Sequence, residues 1–184
     1  GDDAVAVLDP LGIERAVLVG HSFGRFVARR ATIPHPQRVA ALVLIGTGFT
    51  AANPVTRDVQ SALRDLPDPI PLEFAREFQA STIHHAVPPE FFDQIVAESM
   101  KLPPRLWRLA LDGLLEYDDA RQVGRIEAPT LLLYGEHDAL FPRQDQDRLL
   151  EELPAAELTV YADTGHCPNW ERPERVAEDI AAFM

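Results

Sequence analysis

Four short apolar runs, separated by longer amphipathic stretches, constrain the fold of this chain more than any other feature. The runs are rich in Val, Leu and Ile without strict alternation of apolar and polar residues, which is typical of parallel strands buried on both faces. Parallel neighbours need crossover connections, which helices normally supply. The pattern therefore predicts an α/β fold with a mostly parallel sheet and flanking helices. The predicted strands are residues 16–20, 39–46, 130–135 and 158–161.

The helices between these strands have recognisable limits in the sequence. One is predicted over 22–33, where Pro34 stops it, and another follows Pro142 to about residue 153. A third begins near Pro173, a favourable first-turn position, and runs to the end of the chain. Residues 3–11 are expected to be the tail of a further helix that feeds the first strand.

The segment 49–123 differs from its surroundings, because it is rich in Pro, Phe and helix formers and contains no strand-like run. It falls between two strands, so we predict a helical cap inserted into an α/β core formed by residues 1–48 and 124–184. Most of its large apolar residues are expected to hold the cap together and to the sheet. If the cap covers a pocket, some of them face the ligand. The pocket candidates are His21, Phe74, Phe78 and Trp107.

Composition excludes several classes of partner. The 184 residues are 46% hydrophobic and 25% charged, as in a globular protein, and the formal charge is −12. Such an excess of acids argues against nucleic acid, whose phosphates require clustered Lys and Arg. No apolar run approaches the length of about 20 residues that crosses a bilayer. The single cysteine, Cys167, excludes a disulfide within these residues and weakly favours a cytoplasmic location.

The motif Gly20-His21-Ser22-Phe23-Gly24 fits G-x-S-x-G and stands directly after an apolar strand, at the start of a predicted helix. In that context a sharp turn exposes the serine hydroxyl at the carboxyl end of the sheet. The flanking glycines are expected to avoid crowding at the turn. The N–H of Phe23, at a helix N-terminus, can donate to a developing oxyanion. Alternatively, Ser22 is an ordinary helix N-cap.

A serine nucleophile needs a general base and a group that orients the base. Asp138 follows the third predicted strand and His166 follows the fourth, so both are expected at the edge of the sheet where Ser22 lies. Glu136 competes with Asp138 as the acid, and His137 competes with His166 as the base. A plain turn-forming role for Asp138 also stays open.

The remaining histidines and the cysteine receive other interpretations. His35, His84 and His85 lack ligand companions in the sequence, so no metal site is predicted, and they are expected to be surface or cap residues. Cys167, beside the predicted base, is expected to pack in the interior rather than to act as a nucleophile.

Together these motifs make the chain similar to the α/β-hydrolase superfamily, specifically to its cap-bearing serine hydrolases. The resemblance covers nearly the whole chain. It rests on the elbow at 20–24, on His-Pro-Gln-Arg-Val at 35–39, on Ala-Pro-Thr at 128–130 before Tyr-Gly-Glu-His-Asp at 134–138, and on Gly165-His166 before Glu-Arg-Pro-Glu at 171–174. It implies catalytic roles for Ser22, Asp138 and His166, with Phe23 as one oxyanion donor. Relatives often have glycine where Arg25 stands, and Arg25 is expected to point into solvent or toward the cap.

The resemblance also implies a larger sheet in which the strand before Ser22 is central. We therefore expect a half-sheet upstream of Gly1, with a loop that supplies the second oxyanion donor. Losing one such donor costs on the order of 10²- to 10³-fold in rate. Without the half-sheet, the chain would expose an apolar edge, so we expect it to be poorly soluble or inactive alone.

The function that the sequence favours is hydrolysis of a small, largely apolar carboxylic ester or related acyl compound through an acyl-enzyme on Ser22. No cofactor is expected, and the expected partner is a small-molecule substrate. One alternative is C–C bond hydrolysis of a diketone-like ring-cleavage product. Another is a binding protein of the same fold that has no catalytic activity. The substrate and the oligomeric state are not specified by the sequence.

Overall fold

The computed structural model describes residues 1–184 and contains a four-stranded parallel sheet in the order β1-β2-β3-β4. The α/β architecture and the parallel sheet predicted from the sequence are confirmed. The strands are β1 (Ala16–His21), β2 (Val39–Ile45), β3 (Thr130–Gly135) and β4 (Ala156–Tyr161). The α-helices are α1 (Asp2–Ala6), α2 (Phe23–Thr32), α3 (Pro54–Leu63), α4 (Leu72–Ala80), α5 (Pro89–Met100), α6 (Pro104–Glu116), α7 (Arg143–Glu152), α8 (Pro168–Glu171) and α9 (Pro173–Phe183).

Two element boundaries differ from the sequence prediction by two residues or more. Helix α1 ends at Ala6, and the chain then turns through Gly12, whose φ is +67°, so the expected helix does not continue to residue 11. Strand β4 begins at Ala156, two residues earlier than predicted, because Ala156 pairs with Thr130 of β3. Inter-strand hydrogen bonds decide this boundary, and the apolar pattern alone does not reveal it.

Both faces of the sheet are covered by helices. On one face Leu42, Leu44 and Leu132 pack against Leu149 of α7 and Ala28 of α2. Because successive strand residues point to opposite faces, their neighbours in sequence form the second core. That core comprises Val43, Ile45, Leu131, Leu133, Tyr161 and Val176 of α9.

Strand β1 lies at one edge of the sheet and pairs only with β2. Val19 on this strand is 54% exposed, whereas β2 and β3 are almost wholly buried. Phe23, directly after the strand, is 47% exposed. This side of the chain therefore carries the open apolar edge that the sequence led us to expect.

Four helices, α3 to α6, lie between β2 and β3, within the segment 49–123 that we predict to be a cap. Helices α4, α5 and α6 share a small core around Ile70, Ala75 and Val96. Helix α3 packs against α6, and α4 packs against α5. None of the helices in the structure combines the length and hydrophobicity needed to cross a membrane.

Candidate active site

Ser22 occupies a strained turn between β1 and α2. Its φ is +51° and its ψ is −119°, a conformation that non-glycine residues rarely adopt. A Cβ on Gly20 would lie 2.5–2.7 Å from backbone atoms of Gly24 and Arg25, so only glycine fits there. A Cβ on Gly24 would meet nothing within 4 Å. The expected crowding at the second glycine of the motif is therefore wrong, and Gly20 alone is sterically required.

One chain of hydrogen bonds joins the three side chains that the sequence put forward as catalytic. His166 Nε2 lies 2.8 Å from Ser22 Oγ, and His166 Nδ1 lies 2.9 Å from Asp138 Oδ2. The second carboxylate oxygen, Asp138 Oδ1, accepts the N–H groups of Leu140 and Phe141 at 2.8 and 3.1 Å. The carboxylate is thus held from both sides. In this arrangement Nδ1–H donates to the carboxylate, and Nε2 can accept the serine proton.

The competing acid and base take no part in the Ser22–His166–Asp138 hydrogen bonds. Glu136 and His137 are both exposed on the loop after β3, whereas Asp138 and His166 are buried. Cys167 is buried and lies 3.5 Å from the Thr82 hydroxyl. Burial raises the pKa of the Cys167 thiol to about 12, so the reactive thiolate is absent at neutral pH.

Phe23 is the first residue of α2. The first N–H groups of a helix have no carbonyl partner inside the helix, so this N–H can point at a ligand. Its proposed role as one oxyanion donor agrees with its position directly after Ser22. The second donor stays a prediction.

A mainly apolar cavity of about 250 Å³ opens beside Ser22, and twelve of its fifteen lining residues are hydrophobic. Ser22 and Phe23 line one side of it. Phe78 of α4 and Trp107 of α6, two of the pocket candidates, line another. The helices between β2 and β3 therefore supply much of the wall.

The other two pocket candidates, Phe74 and His21, do not line this cavity. Phe74 packs behind the wall, with its ring centroid 6.4 Å from that of Phe78 and 6.3 Å from that of Trp107. The ring of His21 turns toward His166 instead, at 5.3 Å between centroids. The helical spacing indicated that Phe74 packs within the cap, and the motif placed His21 in the turn, but the orientation of each ring depends on its tertiary partners.

Arg25 does not point into solvent, which was one of the two orientations expected from the sequence. It lines the cavity that the helices of the segment 49–123 also line. It is 1% exposed, and its Nη1 donates to the carbonyl oxygens of Ser22 and Gly46, both at 2.9 Å. The guanidinium lies 4.1 and 4.0 Å from the ring centroids of Phe26 and Phe141. Burial lowers the pKa of Arg25, but a guanidinium remains charged in proteins. These contacts fix the turn that carries Ser22.

Gly46, at the end of β2, is a site residue that the sequence analysis missed. Its φ is +54°, and a Cβ there would lie 2.4 Å from the carbonyl oxygen of His166 and 2.9 Å from its ring. Any side chain at this position would displace the imidazole. The only signal in the sequence was a glycine directly after an apolar strand, which is common and unspecific.

Glu171 is a second missed residue, and it holds the loop that carries His166. Its Oε1 accepts the N–H of Gly165 at 2.8 Å, and its Oε2 accepts the N–H groups of His84 and His85 at 3.0 and 2.7 Å. One buried carboxylate thus connects the segment between α4 and α5 to the loop after β4. In the same region, the N–H of His166 donates to the carbonyl oxygen of Thr82.

His21 is expected to make the stability of the folded protein depend on pH. Its Nε2 lies 3.3 Å from the carbonyl oxygen of His166 and must carry the proton, because a carbonyl only accepts. Burial, followed by the proximity of His166, lowers the pKa of His21 to about 3. The unfolded chain therefore binds a proton near pH 6.5 that the folded chain does not. Stability is lost as the pH falls from about 6.5 toward 3.

We expect His21→Gln to reduce this acid sensitivity, by about 1–2 kcal/mol at pH 5. The measurement is urea unfolding at pH 7.5 and pH 5, with the stability difference compared between variant and wild type. His35→Gln, which changes a partly exposed histidine between α2 and β2, is the matched control and should leave the difference unchanged. An equal pH response in His21→Gln and wild type would contradict the assignment.

The sequence matches known proteins over nearly its whole length. A family described as alpha/beta hydrolase fold matches residues 1–173. A 2-hydroxy-6-oxononadienedioate/2-hydroxy-6-oxononatrienedioate hydrolase of Paraburkholderia phymatum is 30% identical over 187 residues, covering 97% of this chain and 65% of that protein. The chain therefore spans just under two thirds of the length of this relative.

Solved structures agree with this match. An esterase from Thermogutta terrifontis is 26% identical with a TM-score of 0.81, covering 99% of this chain and 69% of that one. An esterase from Exiguobacterium antarcticum, 16% identical, has a TM-score of 0.88 and covers 98% of this chain and 70% of that one, which shows the shared fold. On the family match and the fold, the chain belongs to the alpha/beta hydrolase fold family.

Proposed function

We propose that this protein is a serine hydrolase that cleaves a small, largely apolar ester or related acyl compound through an acyl-enzyme on Ser22. One observation carries the proposal. The Ser22–His166–Asp138 hydrogen-bond chain, with distances of 2.8 and 2.9 Å, lies beside an apolar cavity of about 250 Å³. A nucleophile, a base and an orienting acid next to a ligand-sized space form the constellation that acyl transfer requires.

In the proposed reaction, Ser22 Oγ attacks the acyl carbon while His166 Nε2 takes the hydroxyl proton. The carbonyl oxygen becomes an oxyanion that accepts the N–H of Phe23, and Asp138 stabilises the imidazolium. Collapse of this intermediate breaks the bond to the leaving group, which receives the proton from His166. Water, deprotonated by His166, then attacks the acyl-enzyme. That step releases the acid and restores the serine hydroxyl.

The lining of the cavity supports a neutral, apolar acyl group. The only cationic residue in the lining is Arg25, whose Nη1 is already bonded to two backbone carbonyls. Its Nε and Nη2 are buried without a hydrogen-bond partner, and the guanidinium lies against the rings of Phe26 and Phe141. Away from Arg25, a substrate carboxylate would lose its hydration against mainly apolar side chains, which is costly.

A second candidate function is C–C bond hydrolysis, and one finding favours it. The relative from Paraburkholderia phymatum is named as a hydrolase of an oxo-dioate, and it matches 97% of this chain. A dioate carries two carboxylates, whereas the cavity beside Ser22 contains one cationic residue, Arg25, and is otherwise mainly apolar. For that reason we prefer ester hydrolysis to C–C bond hydrolysis as the proposed function.

The test compares acyl groups on the protein expressed from its complete coding sequence. We expect p-nitrophenyl butyrate to be hydrolysed with a kcat/KM on the order of tenfold or more above that of p-nitrophenyl succinate, whose acyl group ends in a carboxylate. Cleavage of an oxo-dioate with neither ester hydrolysed would instead favour the C–C reading. A folded protein that binds small molecules but cleaves none of these compounds would reject the enzymatic proposal in favour of a binding role.

A further inference from the structure

Three potential metal ligands lie close together on the surface. They belong neither to the cavity lining nor to the hydrogen-bonded set Ser22, His166 and Asp138. They are His84, His137 and Asp163, and one ligand atom from each lies within 4.8 Å of the other two. His84 lies between α4 and α5, His137 lies after β3 and Asp163 lies after β4. The sequence led us to expect that His84 lacks companions for a metal site. The fold supplies those companions from loops 53 and 79 residues further along the chain.

The side chains of these residues are free to bind, while their backbones are fixed. His84 N–H donates to Glu171 at 3.0 Å, and His137 N–H donates to the carbonyl oxygen of Thr164 at 2.9 Å. Arg172 contacts the Asp163 main-chain carbonyl, not the carboxylate, at 3.2 Å. All three candidate ligands are exposed. The anchored backbones lower the entropy that would be lost on binding an ion.

The three ligand atoms are close enough to converge on one ion after their side chains rotate. The two imidazole rings are stacked, with centroids 4.0 Å apart, and His137 Nε2 lies 3.8 Å from Asp163 Oδ1. Zinc–ligand bonds of about 2.0–2.1 Å place tetrahedral ligand atoms roughly 3.3 Å apart. Side-chain rotations would have to bring the ligand atoms closer by up to about 1.5 Å and turn the two stacked rings so that one nitrogen of each faces the same point. Two neutral imidazoles and one carboxylate, with water in the fourth position, match a known zinc donor set.

We propose that His84, His137 and Asp163 form a site for one Zn²⁺ ion, or for a similar divalent metal that prefers imidazole. The ion would tie the segment between α4 and α5 to two loops of the core. One of these loops carries Asp138 directly after His137, and the other carries His166 three residues after Asp163. Metal binding would therefore hold the orienting acid and the base in place from the outer surface. This inference goes beyond the proposed hydrolysis and does not depend on it.

The experiment is isothermal titration of the metal-free protein with ZnCl₂ at pH 7.5, together with thermal unfolding with and without the metal. We expect one Zn²⁺ bound per chain, a higher Tm with Zn²⁺, and reversal by EDTA. His84→Ala and His137→Ala should each weaken Zn²⁺ binding by about tenfold or more, because mutating even the hydrogen-bond partners of metal ligands lowers metal affinity by that factor. Asp163→Asn should weaken binding as well, since it removes the negative charge. All three side chains are exposed, so these variants are expected to fold.

Two further variants make the result specific. His35→Ala removes a surface histidine elsewhere and should leave Zn²⁺ affinity unchanged. His166→Ala separates the site from metal capture by the buried histidine beside Ser22, and it should also leave the affinity unchanged. Absence of saturable binding at one ion per chain would overturn the proposal. Equal affinity in wild type, His84→Ala and His137→Ala would overturn it too.

Discussion

Replacing Ser22 by alanine should abolish covalent labelling by a fluorophosphonate and lower kcat for ester hydrolysis on the order of 10⁴-fold or more. The Ser22 hydroxyl lies 2.8 Å from His166 Nε2, and it is the only serine hydroxyl hydrogen-bonded to His166. Without it there is no atom to form the acyl bond. Labelling is read by mass spectrometry of the intact protein, and kcat is measured with p-nitrophenyl butyrate.

Ser22, His166 and Asp138 are expected to act together in catalysis. His166→Ala should cost nearly as much as Ser22→Ala, and the double variant should lose little more than either single variant, because such groups act as a unit. Ser61→Ala, an exposed serine on α3 that bonds only its own helix, is the matched control and should label and turn over as wild type does. If Ser22→Ala were labelled as fast as wild type, the proposed nucleophile would be wrong.

The second large effect concerns stability and arises from a buried ion pair that the sequence analysis missed. Arg29 of α2 is fully buried and is bonded to Asp119, which is 3% exposed. Arg29 also donates to the carbonyl oxygens of Gly48 and Phe49, at 3.1 and 3.2 Å. Burial lowers the pKa of Arg29, and the proximity of Asp119 opposes this shift. The pair thus joins α2 to both ends of the helical segment between β2 and β3.

Asp119→Ala should lower the free energy of unfolding by about 3–5 kcal/mol, because it leaves the Arg29 guanidinium buried without a counter-charge. Chemical denaturation monitored by tryptophan fluorescence gives this value. Asp65→Ala, which removes an exposed carboxylate, is the control and should change stability by less than about 0.5 kcal/mol.

The double variant Arg29→Met/Asp119→Leu tests the mechanism behind this loss. Because it removes both buried charges, it should be less destabilised than Asp119→Ala alone. A loss in Asp119→Ala no larger than in Asp65→Ala would show that the pair does not secure this junction.

Much of the architecture could be predicted from the sequence because it depends on local patterns. Apolar runs that are buried on both faces indicate parallel strands, and the glycines around Ser22 indicate a tight strand-to-helix turn. The same logic explains why Asp138 and His166 could be selected. Each follows its own strand, and parallel strands bring their carboxyl ends to one edge.

Side-chain partners far apart in sequence could not be predicted in this way. Arg25 was expected to point into solvent or toward the cap, yet it is buried and donates to the carbonyl oxygen of Gly46. Asp119 and Arg29 are 90 residues apart. No periodicity relates such positions, because their contact depends on how the helices pack after the sheet has formed.

The sequence by itself determined the α/β class, the strained turn at Ser22 and the order of the candidate acid and base, since these follow from residue type and strand position. Only the tertiary structure decided that Asp138 rather than Glu136 meets His166, that Phe78 and Trp107 rather than Phe74 and His21 line the cavity, and that His84 gains companions. The physical reason is that side-chain contacts depend on the direction in which each side chain points. A strand places a loop at an edge, but the direction in which each side chain points depends on distant partners, which exist only after the chain has packed.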